Sequence, residues 1–325
     1  MKDTFTIKEE DKKKRLDKFL TEELVDLSRS QIKKMIIDGQ VLVNGEEASV
    51  HKFLKEDDTV KILKETEKTI IKEKINEKRG KKNIKLFDSI KVIAEENNFI
   101  IIEKPAGMLV HPTDKEENDT LVDWLLEKYP DIRGIGEDPS RPALVHRLDK
   151  DVSGLMLIPK TQDAFDFFKQ QFKLRIIDKK YTALVHGEIT NKDNDEINFP
   201  ISRSKTKEGL FAAHPKVRGE KFTEKDREAI TEFIVKERFK NFTLLEVKIL
   251  TGRTHQIRVH LTAYGHHIVG DKLYLNRKLK SKKELNRIFL HAGHLAFTDP
   301  DNKKYEFKSP LPEKLADFME TLKKI

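Results

Sequence analysis

The sequence predicts an α+β protein: a small N-terminal α/β domain, a charged connector, and a larger domain on a long mixed, mainly antiparallel bent sheet. Three observations carry this. Two short helical patterns are followed at once by an alternating strand and a tight-turn signal within residues 14–63. Residues 64–86, KETEKTIIKEKINEKRGKKNIKL, are almost pure charge with no sustained apolar face. From residue 89 onward strand patterns dominate, with only a few helical ones between them. A chain of 325 residues is long enough for about two domains.

In chain order, residues 1–13 are polar and read as an extended or frayed lead. Leu16, Phe19, Leu20 and Leu24 recur at helical spacing, which predicts a helix over 15–24. Ser28 and Gln31 form a capping-box pattern for a second helix with Ile32, Met35 and Ile36 on its apolar face, and Gly39 suits the position just past its end. QVLVNGEE is a strand ending in the Asn44-Gly45 turn signal, and DDTVKI (57–62) pairs back. In the larger domain SIKVIAEENNFIIIEKP gives two strands around Asn97-Asn98, and Met108 to Val110 reads as more strand. Thr120 caps a helix with Leu121, Trp124 and Leu125, stopped by Pro130. Ala143 to Val145 and Leu155 to Ile158 read as strands flanking a polar turn, His146-Arg147-Leu148-Asp149-Lys150-Asp151. Thr161 opens a helix with Ala164, Phe167, Phe168 and Phe172 on one face, an aromatic stripe that reads as core. Strands are expected over 181–189, 196–201, 210–214, 229–238, 242–250 and within 289–308. Helices are expected over 254–264 and from Pro312 to about Lys324, and 275–288 is a basic insertion.

Composition narrows the class. Lysine and arginine number 64 against 56 acidic residues, a net charge of +8, which favours polyanionic partners. No apolar run is long enough to span a bilayer, and MKDTFTIKEEDKKK lacks the apolar stretch of a signal peptide. With no cysteine, disulfides and thiolate metal sites are excluded, and no histidine sits in HExxH or comparable spacing, so no metal is expected. The expectation is a soluble, cytoplasmic protein acting on nucleic acid.

The loop in PALVHRLDKDVSGLMLIPKT (142–161) concentrates ionisable groups between rigid elements, where catalytic groups tend to sit; a solvated turn is the bland alternative. HRLDKDVSG resembles the signature loop of the RluA/RluD-type RNA pseudouridine synthases. EKPAGMLVHP (103–112), KKYTALVHGEI (179–189), LTGRTHQIRVHL (250–261), GHHIVGDKLY (265–274) and LHAGHLAF (290–297) resemble the same family in the same order. SRSQIKKMIIDGQVLVNG resembles an S4 RNA-binding domain. The resemblance implies an S4 domain over 14–63, a linker over 64–86 and a catalytic domain over 87–325. It also implies an isomerase that breaks the uracil N1–ribose bond and rebuilds it from C5, a reaction that adds no atoms and requires no cofactor.

The resemblance implies Asp149 as the reacting carboxylate; attack on C1′, attack on C6 and a glycal route all stay open. Arg258 is the expected ionic partner, with Arg253 as the alternative or as a phosphate contact. Tyr181 is expected to stack on the uracil, and Leu290 to form an apolar floor. Arg147 is expected to prop the stack that the flipped nucleotide vacates. His146 is a phosphate-contact candidate, against the simpler reading of a satisfied loop histidine. Asp151 is expected to hold the loop's own amides. Arg15, Lys18, Arg29, Lys33 and Lys34, with Lys14, would line an RNA-binding groove in the S4 domain, and Lys78, Arg79, Lys81 and Lys82 would extend it. The expected substrate is RNA, 23S rRNA or a large-subunit precursor first, bound by a monomer without a membrane. A family member acting on tRNA, and a non-catalytic RNA-binding or ribosome-assembly factor, are the alternatives. Intact Asp149, Tyr181 and Arg258 argue against a retired enzyme. A nuclease lacks metal ligands, and free uracil among the products would mark an N-glycosidase.

Overall fold

The computed structural model describes residues 3–37, 39–48, 50, 52–63, 84–113, 119–204, 209–215, 226–274 and 285–324. The expected linker, with Lys78, Arg79, Lys81 and Lys82, and most of the basic insertion at 275–288 lie outside them. The chain forms two compact units. One comprises Met1–Ile90, Met108–Leu144 and Pro159–Asp166; the other comprises Lys91–Gly107, Val145–Ile158 and Phe167–Ile325.

In the first unit β1 (Thr4–Thr6), β2 (Val41–Val43), β3 (Glu46–Glu47) and β4 (Thr59–Ile62) form a sheet in the order β1-β4-β2-β3. The polar lead is therefore a paired extended strand over Thr4–Thr6 and is not frayed there. Phe5 and Ile7 are buried, and Thr4, Phe5 and Thr6 pair with Lys61, Val60 and Thr59. That partner strand lies far along the chain, and the short β1 shows no signal of its own. Helices Leu16–Glu23 and Arg29–Ile37 close over the sheet with Leu16, Phe19, Leu20, Ile32 and Ile36 in one core. The Ser28 box forms: its backbone N–H donates to Gln31 Oε1 at 2.8 Å and Gln31 N–H donates to Ser28 Oγ at 3.3 Å. Helix Leu121–Lys128 begins in the same way, with Asp123 N–H donating to Thr120 Oγ1 and Thr120 N–H to Asp123 Oδ2. Two expected strands are absent here. The carbonyls of Leu109 and Val110 accept from Leu121 and Val122 N–H instead of a ladder, and Ala143 takes a left-handed turn with φ of 55°. Both stretches are apolar because they are buried; burial alone does not select a strand.

The second unit holds a nine-stranded sheet of β5 (Lys91–Glu95), β6 (Phe99–Lys104), β7 (Ser153–Pro159), β8 (Asp178–His186), β9 (Asn194–Ile197), β12 (Thr231–Phe239), β13 (Phe242–Ile249), β14 (Leu290–Thr298) and β15 (Lys304–Lys308). The order is β5-β6-β7-β14-β8-β13-β12-β9, with β15 on β14; β10 (Ile201–Arg203) and β11 (Phe211–Ala213) form a separate ribbon. β7 runs parallel to β14, whereas β8 is antiparallel to both β13 and β14. The sheet is thus mixed and mainly antiparallel. Helix Gln162–Lys173 contributes Phe168 to an aromatic core in which the Phe99 ring lies 4.9–6.0 Å from Phe168, Phe297 and Tyr305. β7 is buried at every position, and this central strand starts two residues after Asp151. Its second residue, Gly154, has φ of 132°, and a Cβ there would collide with the backbone of Ala292 on β14. The site loop is therefore tied to the middle of the sheet by a backbone approach that only glycine allows.

Candidate active site

The loop ahead of β7 is held from below. Lys104, the last residue of β6, is fully buried and its Nζ donates to the carbonyls of Pro105 at 2.8 Å and Lys150 at 3.2 Å. Gly107 N–H donates to the same Lys150 carbonyl at 2.8 Å. Burial pulls the Lys104 amine down to about 7, against the opposing charges of Asp149 and Asp151. On the far side, Arg287 donates to Ser153 Oγ at 2.7 Å and so fixes the loop's exit.

His146 is a correction. Its Nε2 accepts the backbone N–H of Leu157 at 2.9 Å and its Nδ1 meets Lys179 Nζ at 3.0 Å, while the ring lies 4.7 Å from that of Phe172. Both nitrogens are used inside the protein, so the ring buttresses the loop rather than reaching a phosphate. With Nε2 an acceptor, the neutral ring carries its proton on Nδ1, an assignment made from the bonds; Lys179 must then accept it as an uncharged amine. Burial agrees, lowering His146 well below its ordinary value and Lys179 to about 7.

Asp149 sits at the mouth of this loop. Arg258 Nη1 lies 3.5 Å from Asp149 Oδ2, and His255 Nε2 lies 4.0 Å from the same oxygen. Both come from the segment that the GRTHQIR run folds into helix Gln256–Ala263. Gln256 explains its start: its Oε1 accepts Arg253 N–H at 3.0 Å and Thr251 Oγ1–H at 2.8 Å. His255 precedes the helix with φ of 57°, which turns its ring toward Asp149. Arg258 is buried and makes a bidentate pair with the equally buried Asp271, at 2.8 and 2.7 Å. Burial alone would lower its pKa; the bonds to Asp271 outweigh this and raise it.

Tyr181 is buried on β8, and its ring centroid is 5.1 Å from Lys179 Nζ. Burial first, then the Asp149 charge, raises its hydroxyl far above the ordinary value, so it stays a neutral phenol. Leu290, also buried, opens β14 opposite Ala183 of β8. Arg147 is exposed on the loop. Arg253 is exposed and donates to the Glu228 carbonyl at 3.0 Å; the cation at Asp149 is Arg258 instead. In the N-terminal domain Arg15 and Arg29 share the buried Asp17, with bonds of 2.8–3.2 Å. Lys33 pairs with Asp138 at 3.5 Å and Lys14 with Asp11 and Glu22, whereas Lys18 and Lys34 are exposed.

Sequence reasoning missed Lys104, Lys179, His255, Tyr274 and Asp271. A lysine closing the apolar run FIII and an aspartate behind the glycine of HIVGD were the available signals, because charges embedded in apolar runs need a partner. Among the described residues no helix is long and apolar enough to cross a membrane, and no group of three or more His, Asp or Glu side chains is placed to hold a metal ion.

The chain is similar to known proteins. Residues 98–263 match the RNA pseudouridylate synthase family model, and residues 14–60 match the S4 domain. The chain is 35% identical over 322 residues to an uncharacterized RNA pseudouridine synthase, YlyB, of Bacillus subtilis, covering 98% of this chain and 97% of that one. It is 32% identical over 331 residues to the ribosomal large subunit pseudouridine synthase D of Escherichia coli, covering 98% and 94%. The solved human RNA pseudouridylate synthase domain containing 4 matches the fold with a TM-score of 0.56 at 23% identity, covering 70% of this chain and 91% of that one. A carboxylate loop anchored in the central sheet, a buried arginine facing it and near full-length similarity converge: the chain belongs to the RNA pseudouridylate synthase family and is an RNA pseudouridine synthase, an isomerase with an N-terminal S4 domain.

Proposed function

We propose that this enzyme isomerises uridines of the large-subunit ribosomal RNA, 23S rRNA or its precursor, with Asp149 as the reacting carboxylate. The observation that carries the chemical part is the approach of Arg258 to Asp149 at 3.5 Å within the buried base of the site. The guanidinium sets a positive charge opposite the carboxylate that each route from uridine needs. Reaction breaks N1–C1′ and forms C1′–C5; the C5 proton leaves and N1 gains one, so atoms balance with no added group. Tyr181, a neutral phenol, suits stacking on a detached uracil, and Leu290 supplies apolar surface beneath it. Arg147 fills the helical stack when the nucleotide flips out, a step that costs a few kcal/mol. Arg253, Lys18 and Lys34 present exposed charge for phosphates, and Arg15, Arg29 and Lys33 add cations that retain some exposure beside their acidic partners.

The substrate part rests on the relatives named ribosomal large subunit pseudouridine synthase D, similar along nearly the whole chain, S4 domain included. We place the enzyme in the cytoplasm with that RNA, acting as a monomer. The test offers the purified protein equal amounts of unmodified 23S transcript, 16S transcript and bulk tRNA, with pseudouridine mapped chemically. Conversion in 23S is expected. Conversion in tRNA or 16S with none in 23S or large-subunit precursors overturns the substrate and leaves the chemistry standing.

A further inference from the structure

We propose that Asp271 is a positioning residue that divides the Arg258 guanidinium, so that one donor at a long distance faces a single oxygen of Asp149. The inference rests on the reading of Asp149 as the reacting carboxylate. Arginine can pair both oxygens of a carboxylate with its fork, the geometry it prefers when free to choose. Here Asp271 has taken that geometry: Nε donates to Oδ2 at 2.8 Å and Nη2 to Oδ1 at 2.7 Å. What remains for Asp149 is Nη1, at 3.5 Å. The other near side chain, His255, whose pKa burial lowers, brings Nε2 to the same Oδ2, so neither approach uses Oδ1 of Asp149. A carboxylate clamped by a full fork would be held ionised and would also be quenched as a nucleophile or base. The division keeps the charge and spares one oxygen.

Asp271 is itself fixed by more than the arginine. Its Oδ1 accepts the backbone N–H of Leu273 at 2.9 Å and of Tyr274 at 3.2 Å, which closes a tight turn. Gly270, with φ of 74°, lies so close to the Arg287 carbonyl that a Cβ would not fit, and this sets the height at which Asp271 enters the site. The turn lays the Tyr274 ring 5.2 Å from the Arg258 guanidinium and brings its hydroxyl to His255 Nδ1 at 2.8 Å. Asp149, Arg258, Asp271, Tyr274 and His255 thus form a closed ring of interactions in which Asp271 sets the arginine's orientation. The titratable groups that feel the Asp149 charge are Lys104 on β6, Lys179 and Tyr181 on β8, Arg258, Tyr274 and His255, and His255 also feels Arg258, Asp271 and Arg147.

The test uses the full-length enzyme and bulk RNA from cells lacking it, labelled with tritium at uracil C5, and follows tritium release. Asp271→Asn removes the competing charge and frees the guanidinium to collapse onto Asp149. The expected result is a fall in kcat of about 30-fold with KM within about twofold. An Asp271→Asn enzyme with kcat within about threefold of wild type, once the active fraction is titrated, overturns the proposal. Should that variant not fold, Asp271→Glu keeps the charge and displaces the fork; kcat at least about tenfold down at unchanged KM is then expected, and an unchanged kcat overturns it. Asp149→Asn is run in parallel: if it stays active the underlying reading of Asp149 has failed, whereas an inactive Asp149→Asn beside an unaffected Asp271→Asn removes this inference alone.

Discussion

Replacing Asp149 by asparagine removes one charge and one nucleophilic oxygen from a side chain that Arg258 and His255 both approach. RNA binding and the melting temperature should stay near wild type, while single-turnover activity should fall by about three orders of magnitude or more. Activity within about tenfold of wild type would remove Asp149 from the reaction. Lys179 gives a second prediction at this scale. Its amine titrates at about 7 in the fold against 10.5 as the reference for an unfolded chain. Between those values the unfolded chain binds the proton and the native protein does not. This residue's contribution to stability therefore rises as pH climbs from 7 toward 10.5, by up to about 1.4 kcal/mol per unit. Lys179→Met lacks that contribution. Urea titrations at pH 7 and pH 9 should show the wild type gaining stability relative to the variant; a constant difference would mean the lysine is charged in the fold.

Elements hold the site through a few backbone constraints. Gly154→Ala would drive a methyl group into the Ala292 backbone where β7 meets β14, at a φ of 132°. A loss of more than about 2 kcal/mol is expected in chemical unfolding, with activity lost along with it, because the loop bearing Asp149 leads into that strand. In the N-terminal domain, Asp17 is buried between Arg15 and Arg29 and joins the two helices. Burial raises its pKa, but the bonds from Arg29 and Arg15 outweigh it and hold it below the ordinary carboxylate value. The stabilisation is present above the unfolded value of 3.8 and is lost as pH falls through the lower folded one. Asp17→Asn should destabilise this domain at neutral pH by about 1–3 kcal/mol and flatten its acid unfolding curve, readable by thermal melts across pH 2–6.

At the scale of the whole molecule, the excess of eight positive charges predicts RNA affinity that falls steeply with salt. Lys18 and Lys34 are exposed, so Lys18→Gln with Lys34→Gln should leave folding intact. The slope of log affinity against log salt should become shallower by about 0.7–0.9 for each phosphate that is no longer neutralised, while kcat stays unchanged. An unchanged slope would take these lysines out of the RNA path.

Much of this architecture was legible in the chain because the signals were local. Capping boxes at Ser28 and Thr120, the Asn44-Gly45 turn and the aromatic stripe ending at Phe172 each fix an element from a few neighbouring residues. Asp149 and Arg258 could be singled out because they stand in runs that resemble a family. β1 was not legible: a three-residue strand acquires its meaning from a partner more than fifty residues on. Ala143 to Val145 misled, since apolar residues mark burial and leave the backbone conformation open. His146 kept two readings, a phosphate contact and a satisfied loop histidine, because a sequence does not show which donor faces which ring nitrogen. Asp271 and Lys104 went unassigned because their partners lie on other elements: Arg258 is thirteen residues away from the first, and the Lys150 carbonyl forty-six from the second. By itself the sequence determined most of the elements, which depend on residue type and short-range spacing, and its resemblance to a family put forward Asp149 and Arg258. Only the tertiary structure decided which charge sits against which, because distance and burial set the strength of that interaction and both exist only once the sheet has brought the loop, helix and turn together.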